Sequence, residues 1–220
     1  MLDESIIMTD YCTSTDIFAE IPESKYGIPS SDGGSTDWNT AVAGWCTTAS
    51  RLIDGEFGVP ANTFLPTTDE KTLYYDGSGE EEQNIGLWVS VSEVAMSEVG
   101  ELVSTGYTVF DADDYLTWPY NSTPIKKLIL DNLNETNQWG AFYTYRKAVR
   151  VKGIPGYSLT PPAVVAQACK MQVVLWLQSA KQMYQGRGAN GAMTTLVVDT
   201  SQLDPRISGM LKPIKLELSA

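Results

Sequence analysis

The chain has no histidine in its 220 residues. That removes the side chain that most often acts as a general base near neutral pH, completes nucleophilic triads and ligates metals. Cysteine is almost as scarce: Cys12, Cys46 and Cys169 stand far apart, with no CxxC pair. This spacing excludes zinc and dithiol motifs that depend on close pairs, and a sparse odd count fits a reducing compartment better than a disulfide framework. No apolar run approaches the ~18 residues of a membrane span. The opening Met1–Asp10 is acidic and lacks the basic n-region and cleavage site of a signal peptide, so none is expected. The sequons at Asn121 and Asn134 are then read as chance matches. Acids are plentiful, but no spacing singles out a catalytic pair. The expectation is a protein that is not an enzyme, with no cofactor and no metal.

Basic residues are scarce in the first half. Residues 1–114 carry 22 Asp and Glu against 3 Lys and Arg, whereas residues 115–220 carry 5 against 12, within a net charge of −12. One reading is a solvated acidic surface with ordinary helix-end lysines. The other is an electrically polarised subunit whose acidic and basic faces meet in a repeating head-to-tail contact. Phosphate gripping needs dense Lys and Arg, so a nucleic-acid grip by the whole chain is not expected, and any DNA partner would pass without sequence-specific binding. An acidic lining past which DNA slides is compatible with this composition.

The length suits one large domain, or a domain with a sizeable insertion, able to bury on the order of 70% of its unfolded surface. Residues 1–34 show little periodicity and end in the turn-rich run from Pro29 to Gly34. They read as an extended N-terminal arm, lying on a neighbouring subunit or simply frayed. Over 35–58, Trp38, Ala41, Val42, Trp45, Ala49, Leu52 and Ile53 recur at three- and four-residue steps, which predicts a first core helix. From 59 to 159 the pattern is β-rich. Asn62–Leu65, Thr72–Asp76, Leu87–Ser92, Tyr107–Phe110, Trp139–Tyr145 and Val149–Val151 are the candidate strands, and a short helix is expected near 124–134, starting at Pro124. The acidic loop from Asp76 to Glu82 raises the idea of calcium, but EF-hand spacing is missing.

Arg146, Lys147, Arg150 and Lys152 crowd into seven residues. They form either a partner-binding edge or a charged strand edge that discourages aggregation. Thr160-Pro161-Pro162 then starts a long helix over about 161–185, with Val164, Ala168, Met171 and Leu175 as its main apolar stripe and Val165, Cys169 and Trp176 widening it. The loop 186–191 spells GxGxxG. It follows a helix and precedes an apparent strand at Thr194–Val198, the reverse of the dinucleotide-binding order, and is read as an ordinary loop. Asp204-Pro205 caps a final short helix with Ile207, Met210 and Leu211 inward. Pro213 is expected to stop it, leaving Ile214–Leu218 as a terminal strand. The fold class is therefore α+β: a long central helix, an N-terminal helix and a short C-terminal helix, with a β-rich insertion.

The order of the last seventy or so residues resembles a known family. Val149-Arg150-Val151-Lys152-Gly153 leads to a Gly156-Tyr157 turn, then to the Pro-Pro entry of the long helix, and Asp204-Pro205 with Leu211-Lys212-Pro213 completes the series. This is similar to the head-to-tail connector (adaptor, or head-completion) proteins of tailed bacteriophages. The resemblance covers about 140–220 well, extends more weakly to the first helix and to Tyr115–Pro119, and does not explain the arm. It implies a helical core forming a virion ring, commonly of twelve subunits, beneath the portal. The ring would extend the DNA channel, complete the head and dock neck or tail proteins, with assembly in the host cytoplasm and no membrane partner. The expected subunit and partner contacts are Trp38, Trp45, Arg146, Lys147, Arg150, Lys152, Trp176, Arg187 and Leu211. Two rivals share a virion location: a tail-completion, neck or minor capsid protein, and a carbohydrate-binding tail-tip module. A carboxylate-only glycosidase is the enzymatic outsider.

Overall fold

The computed structural model describes residues 9–21, 34–97, 106–132, 139–185 and 198–219. Within them are four helices and a six-stranded antiparallel sheet, an α+β protein. The chain divides into two compact units, one made of Met1–Asn62 and Pro161–Ala220, the other of Thr63–Thr160.

The helical unit begins with α1, Ser14–Glu20. Thr13 caps it in a reciprocal box: Asp16 N–H donates to Thr13 Oγ1 at 3.2 Å and Thr13 N–H donates to Asp16 Oδ2 at 2.8 Å. Two of the orphan donors at a helix start are thereby satisfied. Residues 9–21 are thus not the extended arm expected for 1–34. Tyr11, Cys12 and Ile17 are buried, and Ile17 is the apolar residue that draws this first turn inward. The turn-rich run from Pro29 to Gly33 lies outside the described residues.

Helix α2, Gly34–Phe57, and helix α3, Ala163–Gln185, pack against each other, and α4, Pro205–Ser219, packs on α3. On α2 the buried line is Val42, Cys46, Ala49 and Ile53, the three- and four-residue steps of one helical face. On α3 it is Val165, Ala168, Cys169, Gln172, Val173, Trp176, Leu177 and Ala180. The stripe expected to run from Val164 is therefore rotated: Val164 is exposed, and Met171 and Leu175 are only half-buried. Helices α1, α2 and α4 all pack on α3, and the face they leave out of water is the one that carries Cys169, Gln172 and Trp176.

Asp204 starts α4 as expected. Its side chain accepts Arg206 N–H at 2.9 Å, its carbonyl accepts Ser208 N–H at 3.1 Å, and its own N–H donates to Gln172 Oε1 at 2.9 Å. Arg206 hydrogen-bonds and pairs with the Asp204 carboxylate, holding its pKa down at about 2. Pro213, however, does not end the helix, which continues to Ser219 with no terminal strand at 214–218. Proline in a helix loses one hydrogen bond and crowds the carbonyl four residues back. Ile207, Leu211 and Ile214 are all buried, so continuing the helix adds a third residue to one apolar stripe.

The sheet runs β1-β6-β2-β5-β4, with β3 also on β2. The strands are β1 Lys71–Tyr75, β2 Glu82–Ser97, β3 Tyr107–Val109, β4 Tyr115–Trp118, β5 Ile125–Leu130 and β6 Val149–Pro155. The sixteen-residue β2 is the spine. One face buries Ile85, Trp88, Val94, Met96, Leu128, Val149 and Val151, with Phe110 and Phe142 closing over them.

Three expectations for this unit are corrected. The helix expected at 124–134 is strand β5 over 125–130: Ile129 pairs with Glu82 of β2 on one side and with Leu116 of β4 on the other. Asn62–Leu65 is a turn, with Asn62 at φ 67°. Trp139–Tyr145 is irregular rather than a strand. Its main chain is nevertheless held, since Phe142 N–H donates to Glu80 O at 2.9 Å and Gly77 N–H donates to Tyr145 O at 3.0 Å.

Candidate interaction surface

The outer face of the sheet carries alternate residues of β1, β3 and β6. Tyr74 lies opposite Arg150, and Arg150 lies opposite Ala95 of β2. The Arg150 guanidinium sits 5.0 Å from the Tyr107 ring centre and donates to Glu93 Oε1 at 2.7 Å. The Tyr74 and Tyr107 rings are 5.8 Å apart. This is a cation sandwiched between a ring and a carboxylate, worth more when partly desolvated than either contact in open water. Lys152 pairs with Glu70 at 3.2 Å on the same strand. Two of the four clustered cations are thus tied to acids of their own unit.

The other two are exposed. Arg146 and Lys147 sit in the irregular segment beside the exposed rings of Tyr143 and Tyr145, which are 6.2 Å apart. Tyr107 Oη donates to Lys147 O at 2.5 Å and Lys147 N–H donates to Asp76 Oδ1 at 2.9 Å. These bonds link the Tyr74–Tyr107–Arg150 group to the Tyr143–Lys147 segment as one aromatic and basic belt. Gly77 makes the belt possible: an added Cβ would lie 1.6 Å from the Tyr143 carbonyl oxygen. A second exposed aromatic group, Trp118 and Tyr120, has rings 4.8 Å apart and edge-on, with Trp118 43% exposed.

The remaining expected contact residues are placed differently. Trp176, 4% exposed, and Leu211, 1% exposed, are core residues of the helical unit and not surfaces for a partner. Trp176 lies on α3 and Leu211 on α4, and a large apolar side chain at such a buried position contributes by leaving water. Trp45 is half-buried on α2. Trp38 lies in α2, its side chain outside the described residues, as is Arg187 with the whole 186–191 loop; of the apparent strand 194–198 only Val198 is described, and it is not in a strand.

The charge asymmetry along the sequence is offset in part by ion pairs between its two halves. Lys127–Glu82, Arg150–Glu93, Lys152–Glu70, Lys170–Glu20 and Lys215–Glu56 each join a base from the second half to an acid from the first. The fold interleaves the two halves. Asp76, Ser78, Glu80, Glu81 and Glu82 of the acidic loop are exposed, and the three glutamates line an open groove with Asn84 and Lys127. Gln83 is buried and pins the loop, accepting Ser78 N–H at 2.8 Å and donating to Asp76 O at 3.2 Å. Among the described residues no group of three or more acids or cysteines is arranged to hold a metal ion.

In the helical unit Asp54 is buried. Tyr11 Oη donates to its Oδ1, and Arg51 Nη1 lies 3.3 Å from its Oδ2. Burial pushes its pKa up, against the opposing pull of the Tyr11 hydrogen bond and the Arg51 charge. A carboxyl whose pKa is higher folded than unfolded stabilises the fold below its unfolded value, about 3.9, and that contribution disappears as pH rises through the folded value. Urea midpoints of wild type and Asp54→Asn across pH 3.5–7 should therefore shift relative to each other in that window, with the variant gaining as pH rises. A constant difference would show that Asp54 titrates in the fold as it does in the unfolded chain.

No protein-family model matches the chain, and no curated protein does. A solved structure described as the neck of an empty GTA particle computed with C6 symmetry is similar over 77% of this chain and 78% of that one, at 14% identity and a TM-score of 0.40. At that score the likeness carries no functional argument. No helix among the described residues is long and apolar enough to cross a membrane.

Proposed function

We propose that this chain is a structural, non-enzymatic virion subunit that forms a ring at the head-to-tail junction of a phage-like particle, between portal and neck or tail. The observation that carries this reading is the structural use of the motif residues in their order. Gly153 lies at φ 156° where an added Cβ would come within 2.1 Å of Ser90 O, and Gly156 lies at φ 145° against the ring of Pro66. Tyr157 N–H donates to Thr63 O at 2.6 Å and its ring packs on Phe64, closing the sheet unit next to the chain's return to the helices. Asp204 and Leu211 begin and bury α4. A helical unit assembled from the segments on both sides of the sheet supports the helical core that the connector resemblance implies, while the large inserted sheet departs from that family's pattern.

The belt of Tyr74, Tyr107, Tyr143, Tyr145, Arg146 and Lys147 has the composition of a protein interface, rich in tyrosine and arginine. It is the surface on which a neighbouring subunit or adjoining ring would sit. The exposed glutamates at 80–82 suit a wall past which DNA moves without adhering. Native mass spectrometry and electron-microscope averaging of the purified protein, alone and with a portal ring, should show a closed ring of about twelve copies. A monomer under every condition, with no ring on the portal, would defeat the reading, and a ring of different symmetry would favour a tail-completion or neck protein.

One observation favours a second reading. The exposed Trp118–Tyr120 pair offers flat apolar faces of the kind that stack on sugar rings, as a carbohydrate-binding tail-tip module would require. Glycan-array binding that is lost in Trp118→Ala would support it; an empty array would remove it.

A further inference from the structure

The geometry points to a thiol staple inside the helical unit: Cys12 and Cys169 close to an intrachain disulfide when they meet a small-molecule disulfide such as oxidised glutathione. The two sulfurs lie 2.9 Å apart, both residues are buried, and all three cysteines of the chain are free thiols. A disulfide bond is about 2.05 Å long, so less than 1 Å of approach separates the pair from bonding distance.

The carriers of both sulfurs are held on either side. Tyr11 N–H donates to Ser50 Oγ at 2.9 Å, Ser50 Oγ donates to Cys46 O at 2.8 Å, and Thr13 is fixed as the cap of α1. Cys169 sits mid-helix in α3, with Ser50 Oγ 3.6 Å from its sulfur. Because neighbouring backbone groups are pinned at Tyr11 and Thr13, Cys12 meets Cys169 in one orientation and not by chance collision. Cys46 is the competitor, since its thiol also hydrogen-bonds Cys12. The hydrogen bonds from Cys12 and Ser50 pull the Cys169 thiol down despite burial, whereas Cys12 is pushed up by its thiol neighbours and by burial. Cys169 is therefore the resolving sulfur, whose thiolate attacks Cys12 once that residue carries the mixed disulfide.

The chemistry balances as thiol–disulfide exchange. When the segment 9–21 lifts from α2 and α3, the Cys12 thiol loses its proton and attacks one sulfur of the small disulfide. This forms a mixed disulfide and releases one glutathione thiolate, which takes up a proton. On re-docking, the Cys169 thiolate attacks the Cys12 sulfur of the mixed disulfide and expels the second glutathione thiolate. Two protein thiols become one disulfide, and one glutathione disulfide becomes two thiols. The bond ties two residues 157 positions apart, a long loop whose closure constrains the unfolded chain strongly. A reducing cytoplasm keeps the staple open, and an oxidising exterior closes it.

The test uses the full-length wild type. After incubation with oxidised glutathione at pH 8, the protein is unfolded in urea, labelled with maleimide and weighed. Labels should fall from three to one, the intact monomer should be 2 Da lighter before labelling, and peptide mapping should recover a Cys12–Cys169 crosslink. Cys46→Ser should still crosslink and Cys169→Ser should not. The oxidised protein should also melt at a higher temperature than the reduced one. Three labels after prolonged oxidation, a crosslink mapped to Cys46, or disulfides between chains would each overturn the assignment.

Discussion

Replacing Trp88 with alanine should lower the stability of the sheet unit by about 4–5 kcal/mol, enough to leave a marginal protein largely unfolded at 37 °C. Trp88 is fully buried at the centre of β2. Emptying a tryptophan-sized site costs about 3–5 kcal/mol, because the surrounding side chains relax only partly. A polar loss adds to this. Trp88 Nε1 donates to Ile85 O at 2.8 Å and to Tyr75 Oη at 3.0 Å. Without the indole, a carbonyl at the β2 bulge and a half-buried phenol lose their donor, at about 1 kcal/mol for a typical bond. Trp88→Phe should recover much of the packing and none of the hydrogen bonding, so its cost should fall well below that of the alanine variant. Urea unfolding followed by far-ultraviolet circular dichroism measures both. Equal midpoints for the two variants would show that the hydrogen bonds, not the volume, hold the site.

Gly153→Ala should be nearly as damaging, at about 3 kcal/mol or more, although it adds a single methyl. The residue lies opposite Val91 of β2, between two irregularities in the β2–β6 register. Its Cβ would lie 2.1 Å from Ser90 O and 3.0 Å from Val91 Cα. Those are main-chain atoms of the central strand, which cannot turn aside as a side chain would, so the sheet must spread or the register must slip. Backbone strain from the unusual φ is added. Gly86→Ala separates these two causes: it also has positive φ, 78°, but an added Cβ meets nothing within 4 Å. It should cost about 1–2 kcal/mol, the strain alone. Matching urea midpoints for the two alanine variants would mean that the close approach at Ser90 relaxes freely.

Part of this architecture can be read from residue spacing and part cannot. The helices α2 and α3 stand out because Val42, Trp45, Ala49 and Ile53, or Val165, Cys169 and Trp176, repeat with the helical period. Strand β2 stands out because Leu87–Ser92 alternates. Strand β5 misleads for a physical reason. Ile125, Leu128 and Ile129 have helical spacing, but β5 is covered on both edges by β2 and β4, and tertiary pairing overrides a three-residue pattern. Helix α1 was signalled by Thr13-Ser14-Thr15-Asp16 ahead of Ile17, a capping-box spelling that is easily lost in a stretch without long periodicity.

The same division holds for the surface. Arg146 and Lys147 are exposed as a partner-binding cluster requires, but Arg150 and Lys152 are occupied by Glu93 and Glu70, and only the strand pairing reveals that. Trp176 and Leu211 have the composition of interface anchors and the position of core. Spacing alone does not mark Tyr143, Tyr145, Trp118 and Tyr120 as exposed, because an aromatic in a short apolar run looks like a strand interior until the edges of the sheet are known.

The division of the helical unit across the chain has a consequence for synthesis. All six strands of the sheet unit have emerged from a ribosome once residue 160 is clear. Helices α1 and α2 have by then been waiting with Ile17, Val42 and Ile53 uncovered, since α3 and α4 do not yet exist. At about 5–20 residues per second that wait lasts on the order of ten seconds. The segment from Pro161 onward therefore decides whether the earlier-made helices α1 and α2 are buried, and a product cut short before Pro205 would carry a finished sheet unit and an unfinished helical unit.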